Sequence, residues 1–119
     1  MSIDKNYYVI AGYDLTGQET DKFEDWKWTD EGEQYTCYQS KKCIQLFDDP
    51  MNGEHLYFGY ILAKGDEYYF ATTRFTISDI ADQECIVYSE LVKLQELGII
   101  TKDPKFKPVF KVIVFEECT

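Results

Sequence analysis

The run "EHLYFGYILA" (residues 54–63) is the most hydrophobic of the strand-like segments, and the predicted fold is arranged around it. Its aromatic and branched aliphatic residues are enriched in β-strands. Turn-forming sequences flank it, "PMNG" (50–53) before it and "KGDE" (64–67) after it. Because apolar residues occupy both faces of this strand, we predict that it lies at the centre of a sheet.

The segments next to this central strand predict a hairpin before it and a further strand after it. Residues 33–49 have a hairpin pattern, in which Tyr35 and Cys37 alternate with polar neighbours and "SKK" forms the turn. Residues 68–76 are rich in aromatic and β-branched residues and predict the next strand. Since these segments are consecutive and joined by short turns, an antiparallel meander is the most economical topology.

The two ends of the chain predict the remaining strands. Residues 6–15 are rich in β-branched and aromatic residues and end in turn-forming residues. Residues 109–118 are apolar on both faces. We therefore expect this last strand in the interior of the sheet, beside the first strand.

One helix is predicted, over about residues 78–97. At about 100° per residue, an apolar stripe forms on one side and a polar face on the other. The stripe consists of Ile80, Val87, Leu91 and Leu94. Ser78 or Asp79 is expected to cap the first turn, and Gly98 is expected to end the helix in the left-handed conformation.

Together these elements predict a single α+β domain spanning residues 1–119. We expect a mainly antiparallel sheet of about five or six strands with the one helix packed on one face. A chain of 119 residues is too short for two independent cores. Its 45% hydrophobic and 17% aromatic residues suffice for one core and exclude a disordered chain.

Negative charge is concentrated in one part of the chain. The sequence has 12 basic and 22 acidic residues, a net charge of −10. Residues 14–33 contain eight acidic residues against two lysines, and so carry six of the ten net negative charges. A surface of this sign repels nucleic acid and anionic membranes and attracts basic partners. The alternative is that the acidity serves only solubility.

Most of these acids lie in "TDKFEDWKWTDEGEQ" (residues 20–34), which we call the acidic segment. One interpretation is a surface loop or short helix anchored by its aromatic residues, and another is a recognition surface. Its two tryptophans argue against a disordered spacer. Tryptophan often supplies binding energy at interfaces, and dispersed carboxylates steer a basic partner. The candidate partner-binding residues are Asp21, Glu24, Asp25, Trp26, Trp28, Asp30, Glu31 and Glu33.

The sequence contains no recognisable catalytic or metal-binding motif. The single histidine is His55, and there is no nucleophile elbow, phosphate-binding loop or pair of CxxC knuckles. We therefore predict neither an enzyme, nor a cofactor, nor a metal site. The four cysteines are expected to stay reduced, with one exception: Cys37 and Cys43 could face each other across the predicted hairpin, which would permit a disulfide in an oxidising compartment.

A small basic cluster near the C-terminus is the one feature that favours nucleic acid. Its lysines are interleaved with aromatic residues, a pattern that suits phosphate contacts and base stacking. The cluster consists of Lys102, Lys105, Phe106, Lys107, Phe110 and Lys111. In a chain of net charge −10 we expect these lysines to offset the acidic side of the sheet, so direct nucleic-acid binding is not predicted.

The leading functional hypothesis is a non-enzymatic inhibitor that places an anionic surface on a basic protein, such as a nuclease, where nucleic acid would otherwise bind. In size, acidity and aromatic content the chain resembles small phage and mobile-element proteins that block restriction, CRISPR or repair enzymes, and nuclease-immunity proteins. The alternatives are an adaptor or assembly protein that uses a sheet face or edge, and a small ligand-binding protein. Since no signal peptide or membrane span is recognised, a cytoplasmic location is expected.

Overall fold

The computed structural model describes residues 5–36, 42–49, 55–66 and 74–118. Within these ranges the chain forms strands and helices in the order β1–α1–α2–β2–β3–α3–α4–β4, which confirms the α+β class. The strands are β1 (Lys5–Asp14), β2 (Ile44–Asp49), β3 (His55–Asp66) and β4 (Lys111–Cys118). The helices are α1 (Phe23–Trp26), α2 (Asp30–Thr36), α3 (Ile77–Ala81) and α4 (Glu84–Glu96).

The strands form one antiparallel sheet in the order β2-β3-β1-β4. The interior position of β3 and the pairing of the first strand with the last are confirmed. The last strand was predicted to be interior, but β4 lies at an edge of the sheet that the four described strands form. Its two apolar faces have different environments: Ile113 and Phe115 pack against a cluster on one face, whereas Val114 on the other face is 73% exposed.

One face of the sheet carries the main core, which α4 and the acidic segment cover. From α4, Val87, Leu91 and Leu94 are completely buried, and each contributes about 2 kcal/mol of hydrophobic stabilisation. This confirms the predicted stripe except at Ile80, which is only partly buried. The buried members of the main core are Tyr13, Leu15, Phe23, Tyr35, Ile44, Leu46, Leu56, Phe58, Val87, Leu91, Leu94, Ile99 and Ile100.

The predicted helix over residues 78–97 is two helices, α3 and α4. Between them the N–H of Gln83 donates to the carbonyl of Ile80, three residues back, so the regular helical ladder is interrupted. The start also differs from the prediction, because Thr76 is the cap and Asp79 is its partner in a capping box. The end is as predicted: Gly98 has a φ of 79°, which permits the left-handed turn that brings Ile99 back to the core.

The first strand of the predicted hairpin is wrong, because residues 33–36 belong to α2. Local chemistry explains the helix. The hydroxyl of Thr29 accepts a hydrogen bond of 3.1 Å from the N–H of Gly32, and carboxylates of the first turn lie near the positive end of the helix dipole. The returning strand of the hairpin is confirmed as β2.

The predicted sheet of about five or six strands has four strands in the described ranges. The strand predicted over residues 68–76 falls largely on residues 68–73, which lie outside those ranges. Cys37 and residues 40–41 of the predicted turn also lie outside them, whereas Cys43, the predicted partner of Cys37, is a free thiol.

The face of the sheet opposite the main core carries a second, aromatic cluster. Tyr8 and Phe47 are buried there, with ring centroids 4.7 Å apart, and Phe115 lies 5.0 Å from Phe47. The ring of His55 stacks on Tyr57 at 4.4 Å beside this cluster. The sheet is therefore packed with aromatic and aliphatic side chains on both faces.

Candidate functional site

The acidic segment is a helical corner made of α1, a turn at residues 27–29, and α2. The start of the segment is hydrogen-bonded to the two residues that follow the C-terminal end of α4. The N–H of Thr20 donates to the carbonyl of Ile99 at 2.9 Å, and the hydroxyl of Thr20 donates to the carbonyl of Gly98. Glu19 also forms a β-bridge with Ile100, so the segment begins at a fixed position on the core.

Aromatic side chains fix the rest of the corner. Phe23 and Tyr35 are buried in the main core, and Trp26 packs between them with ring-centroid distances of 6.3 and 5.7 Å. Trp26 is thus directed inward, although its Nε1 is buried with no hydrogen-bond acceptor among the described residues. Trp28, two residues later, is 75% exposed. Of the two tryptophans predicted to bind a partner, Trp28 is exposed and Trp26 is partly buried against the main core.

The backbones of α1 and α2 are in direct contact at Gly32. A Cβ added at this position would lie 2.0 Å from the carbonyl oxygen of Trp26 and 2.8 Å from the Cα of Lys27. Only glycine permits such an approach. The corner is therefore a packed unit, and no pattern in the sequence indicated that Gly32 is a determinant of it.

All six candidate carboxylates are exposed to solvent. They are Asp21, Glu24, Asp25, Asp30, Glu31 and Glu33. Glu24 forms an ion pair of 3.1 Å with Lys27, whereas the other five form none with a described residue. The structure thus brings the predicted acids together on one helical corner and leaves most of them uncompensated within the described ranges.

Lys27 is the internal counter-charge of this corner, a role that the sequence reading missed. Its ammonium group lies 3.1 Å from carboxylate oxygens of both Glu24 and Asp48, and so ties α1 to β2. Partial burial lowers the pKa of Lys27, but hydrogen bonds to the two carboxylates outweigh it and raise this pKa above its ordinary value. Lys27 therefore remains charged and holds the corner on the sheet.

A second polar network joins α2 to α4. The hydroxyl of Tyr35 donates to Glu90 at 2.6 Å, and Lys42 and Lys93 approach the same carboxylate at 3.7 and 3.4 Å. Burial raises the pKa of Glu90, but the hydrogen bond from Tyr35 and the charges of Lys42 and Lys93 outweigh it, so the pKa is below its ordinary value. Burial, followed by the bond to Glu90, raises the pKa of Tyr35.

This network predicts a specific loss of stability in acid. Because the pKa of Glu90 in the folded protein is below its ordinary value of 4.5, its carboxylate stabilises the fold above that pH, and this contribution disappears as pH falls through the lowered pKa. We expect Glu90→Gln to lower the free energy of unfolding by about 1 kcal/mol near pH 7 and to reduce its further loss in acid.

Urea unfolding of wild type and Glu90→Gln at neutral and acidic pH measures both effects. Glu96→Gln is the matched control, because Glu96 is an exposed glutamate of the same helix. If wild type and Glu90→Gln lost equal stability on acidification, the proposed contribution of the Glu90 network would be wrong.

A cavity of about 280 Å³ lies beside the corner, between the end of β1, α1 and the start of β3. Glu19, Glu24, Asp48 and His55 contribute to its lining, and Lys27 bridges Glu24 and Asp48. Among the residues that the structure describes, no group of three or more His, Cys, Asp or Glu side chains is arranged to hold a metal ion. Cys43 and Cys85 are free and exposed.

The aromatic rings of the basic cluster near the C-terminus are partly buried. Phe106 and Phe110 pack against the main core, and the ring of Phe110 lies 5.6 Å from Tyr13. Lys102, Lys105 and Lys107 are exposed. The pattern that favoured base stacking is therefore accounted for by core packing.

Comparisons with protein-family models, curated proteins and solved structures find no match to this chain. In the described part of the chain, no helix has the length and apolar character needed to cross a membrane. The candidate site is therefore defined by the geometry and charge of the acidic segment.

Proposed function

We propose that the protein is a non-enzymatic inhibitor that binds a basic, nucleic-acid-handling protein through the acidic segment. The observation that carries this proposal is the helical corner, on which Trp28 and six carboxylates are exposed to solvent. A basic surface that accepts phosphates also accepts carboxylates presented at intervals along a rigid surface. Occupation of that surface would displace the nucleic acid.

The packing of the corner supports binding because little order is lost on association. Gly32, Lys27 and the buried aromatic residues hold α1 and α2 on the core before any partner arrives. Preorganised surfaces bind more tightly because the entropic cost of ordering has been met in folding. Exposed charges would accelerate the encounter, and a desolvated tryptophan would slow dissociation.

The roles of the candidate residues differ. Asp21, Asp25, Asp30, Glu31 and Glu33 supply the contact charges. Glu24 is shared with Lys27, and Trp26 supports the corner from inside. The partners that fit this chemistry are nucleases and other nucleic-acid-binding enzymes, including the CRISPR, restriction and toxin nucleases that small acidic proteins of phages and mobile elements inhibit. Such a protein would act in the cytoplasm.

The proposal is tested by affinity capture from the native cell at low ionic strength, followed by a salt titration. Because charges separated by more than about 10 Å are screened at about 0.1 M salt, we expect retention to fall steeply as salt rises. A captured protein supports the proposal only if it binds nucleic acid and loses that binding when the acidic protein is added. A salt-insensitive complex that leaves nucleic-acid binding intact would contradict it.

Charge reversal within the corner is expected to abolish that binding. The triple variant Asp21→Lys, Asp25→Lys, Glu31→Lys changes side chains that have no ion pair with a described residue, so the fold is expected to tolerate it. We expect affinity for the captured partner to fall about 100-fold or more, since like charges across an interface repel by several kcal/mol. Isothermal titration calorimetry at low salt measures this effect.

The matched control is Asp82→Lys, Glu84→Lys, Glu96→Lys, which changes the net charge equally at exposed sites on α4 and in the turn before it. Glu31 and Glu84 both lie in the first turn of a helix, so the two variants share the loss of a favourable dipole interaction. Equal loss of affinity in both variants would show that net charge, and not the corner, determines binding.

A further inference from the structure

The outer edge of β4 is open to pairing along the described strands. β4 pairs with β1 in a continuous register from Lys111 to Cys118, and no described strand lies on its other side. In an antiparallel ladder, alternate backbone N–H and C=O groups point away from the neighbouring strand. Natural edge strands are usually protected by bulges, prolines or inward charges, and the register between β4 and β1 shows no bulge.

An exposed apolar row accompanies this edge on the helix-bearing face. On this face Val112 is 41% exposed and Val114 is 73% exposed, and Val109, which precedes β4, is 65% exposed. Tyr88, on α4 above the same side of the sheet, is also exposed. Backbone groups ready to pair, together with apolar side chains at the same edge, are the two features of a surface that binds another strand.

The charges near this edge favour a second copy of the same strand. Residues 102–118 contain four lysines and three acidic residues, so the excess negative charge of the chain is absent here. The lysines come first and the glutamates last. When two copies of β4 pair antiparallel with Val114 opposite its own counterpart, Lys111 of each copy comes opposite Glu117 of the other.

The acidic segment lies away from this edge. α2 packs against β2, and Lys27 of the corner bonds to Asp48 in the same strand, which is the other edge of the sheet. Repulsion between two copies of this acidic protein is therefore smallest when they meet at β4.

We propose that the protein forms a two-fold symmetric dimer through antiparallel pairing of β4 with β4 of a second copy. The pairing joins two four-stranded sheets into one continuous sheet and places Val114 of each copy against its counterpart, with Val112 opposite Glu116 of the other copy. The two acidic corners then lie at opposite ends of the assembly. This inference does not depend on the proposed function, since a β4 dimer forms whether or not the corners bind a basic protein.

Sedimentation equilibrium over a range of protein concentrations tests the dimer. We expect a mass of twice 14.0 kDa at high concentration, with dissociation on dilution. Val114→Lys places two like charges opposite each other at the centre of the pairing, and we expect it to weaken the dimer by about 100-fold. Amide hydrogen exchange in β4 is expected to slow as wild-type protein becomes more concentrated, because the outward N–H groups become bonded.

A charge exchange gives a second measurement that does not depend on the folding of Val114→Lys. Lys111→Glu alone is expected to weaken the dimer, and addition of Glu117→Lys in the same chain is expected to restore it. Ile86→Lys is the control, because Ile86 is 52% exposed on the side of α4 that carries Glu90, and this variant should remain dimeric.

A wild-type mass of 14.0 kDa at every concentration would overturn the inference. It would also be overturned if wild type dimerised and the β4 substitutions left the dimer unchanged, because the interface would then lie elsewhere. Dimerisation that is lost in Lys111→Glu and restored by the charge exchange would establish the antiparallel pairing.

Discussion

Replacement of Gly32 by alanine is expected to disrupt the corner of α1 and α2 and to lower the free energy of unfolding by about 3 kcal/mol or more. The added Cβ would lie 2.0 Å from the carbonyl oxygen of Trp26. The obstructing atoms belong to the backbone of Trp26 and Lys27 at the end of α1, so no side chain can rotate to make room. Relief requires α1 to separate from α2, which would withdraw Phe23 and Trp26 from the main core.

The sign of the change in the free energy of unfolding distinguishes a tightly packed corner from a loosely packed one. In an unconstrained helix, alanine is favoured over glycine by about 1 kcal/mol, so a loosely packed corner would be stabilised by the same substitution. Denaturant unfolding followed by tryptophan fluorescence measures the change. Glu33→Ala, an exposed position in the same helix, is the control and should remain within about 0.5 kcal/mol of wild type. If Gly32→Ala were more stable than wild type, the corner would be loosely packed and would lack the rigidity on which the proposed function depends.

The long helix and the central strand could be predicted because each has one dominant pattern. Val87, Leu91 and Leu94 recur at helical spacing, and α4 buries all three.

Residues 33–36 carried two competing patterns. Tyr35 alternates with polar neighbours as a strand would, but Thr29 and the acidic residues after it form a helix start, and this local capping determines the structure. An N-cap residue followed by acids was the signal that was overlooked.

The position of the last strand in the sheet could not be predicted from its sequence, for a different reason. Alternation reveals which residues share a face of a strand, but it does not reveal whether each face is covered. Ile113 and Phe115 pack against the second cluster, whereas Val112 and Val114 on the opposite face are exposed. Sequence alone therefore assigned an interior position to a strand that lies at the edge.

The candidate site was predicted as a set of residues but not as an arrangement. The six acids and Trp28 are at the surface as expected. Trp26 and Lys27 contact the protein itself, and those contacts depend on Tyr35 and Asp48, which are remote in sequence. Because helical phase is lost at the turn after α1, the spacing of the two tryptophans could not assign their directions.

The two tryptophans should therefore respond to alanine in opposite ways. Trp28→Ala is expected to weaken binding to a captured basic partner by about 30-fold, since truncation of an interface tryptophan costs about 2 kcal/mol. Its stability should stay within about 0.5 kcal/mol of wild type, because its ring is 75% exposed. Trp26→Ala should lower the free energy of unfolding by about 3 kcal/mol, because it removes a ring packed between Phe23 and Tyr35.

The free energy of unfolding and the affinity for the partner, measured for both variants, distinguish a tryptophan that contacts the partner from one that stabilises the fold. Denaturant unfolding gives the stability, and calorimetric titration of the folded fraction gives the affinity. Trp26→Phe is a useful third variant, because it keeps an aromatic ring in the core and removes the buried Nε1 that lacks an acceptor in the described residues. It should bind the partner as wild type does. A Trp28→Ala variant with unchanged affinity would show that the exposed ring is not an anchor, and carboxylates alone would then have to account for binding.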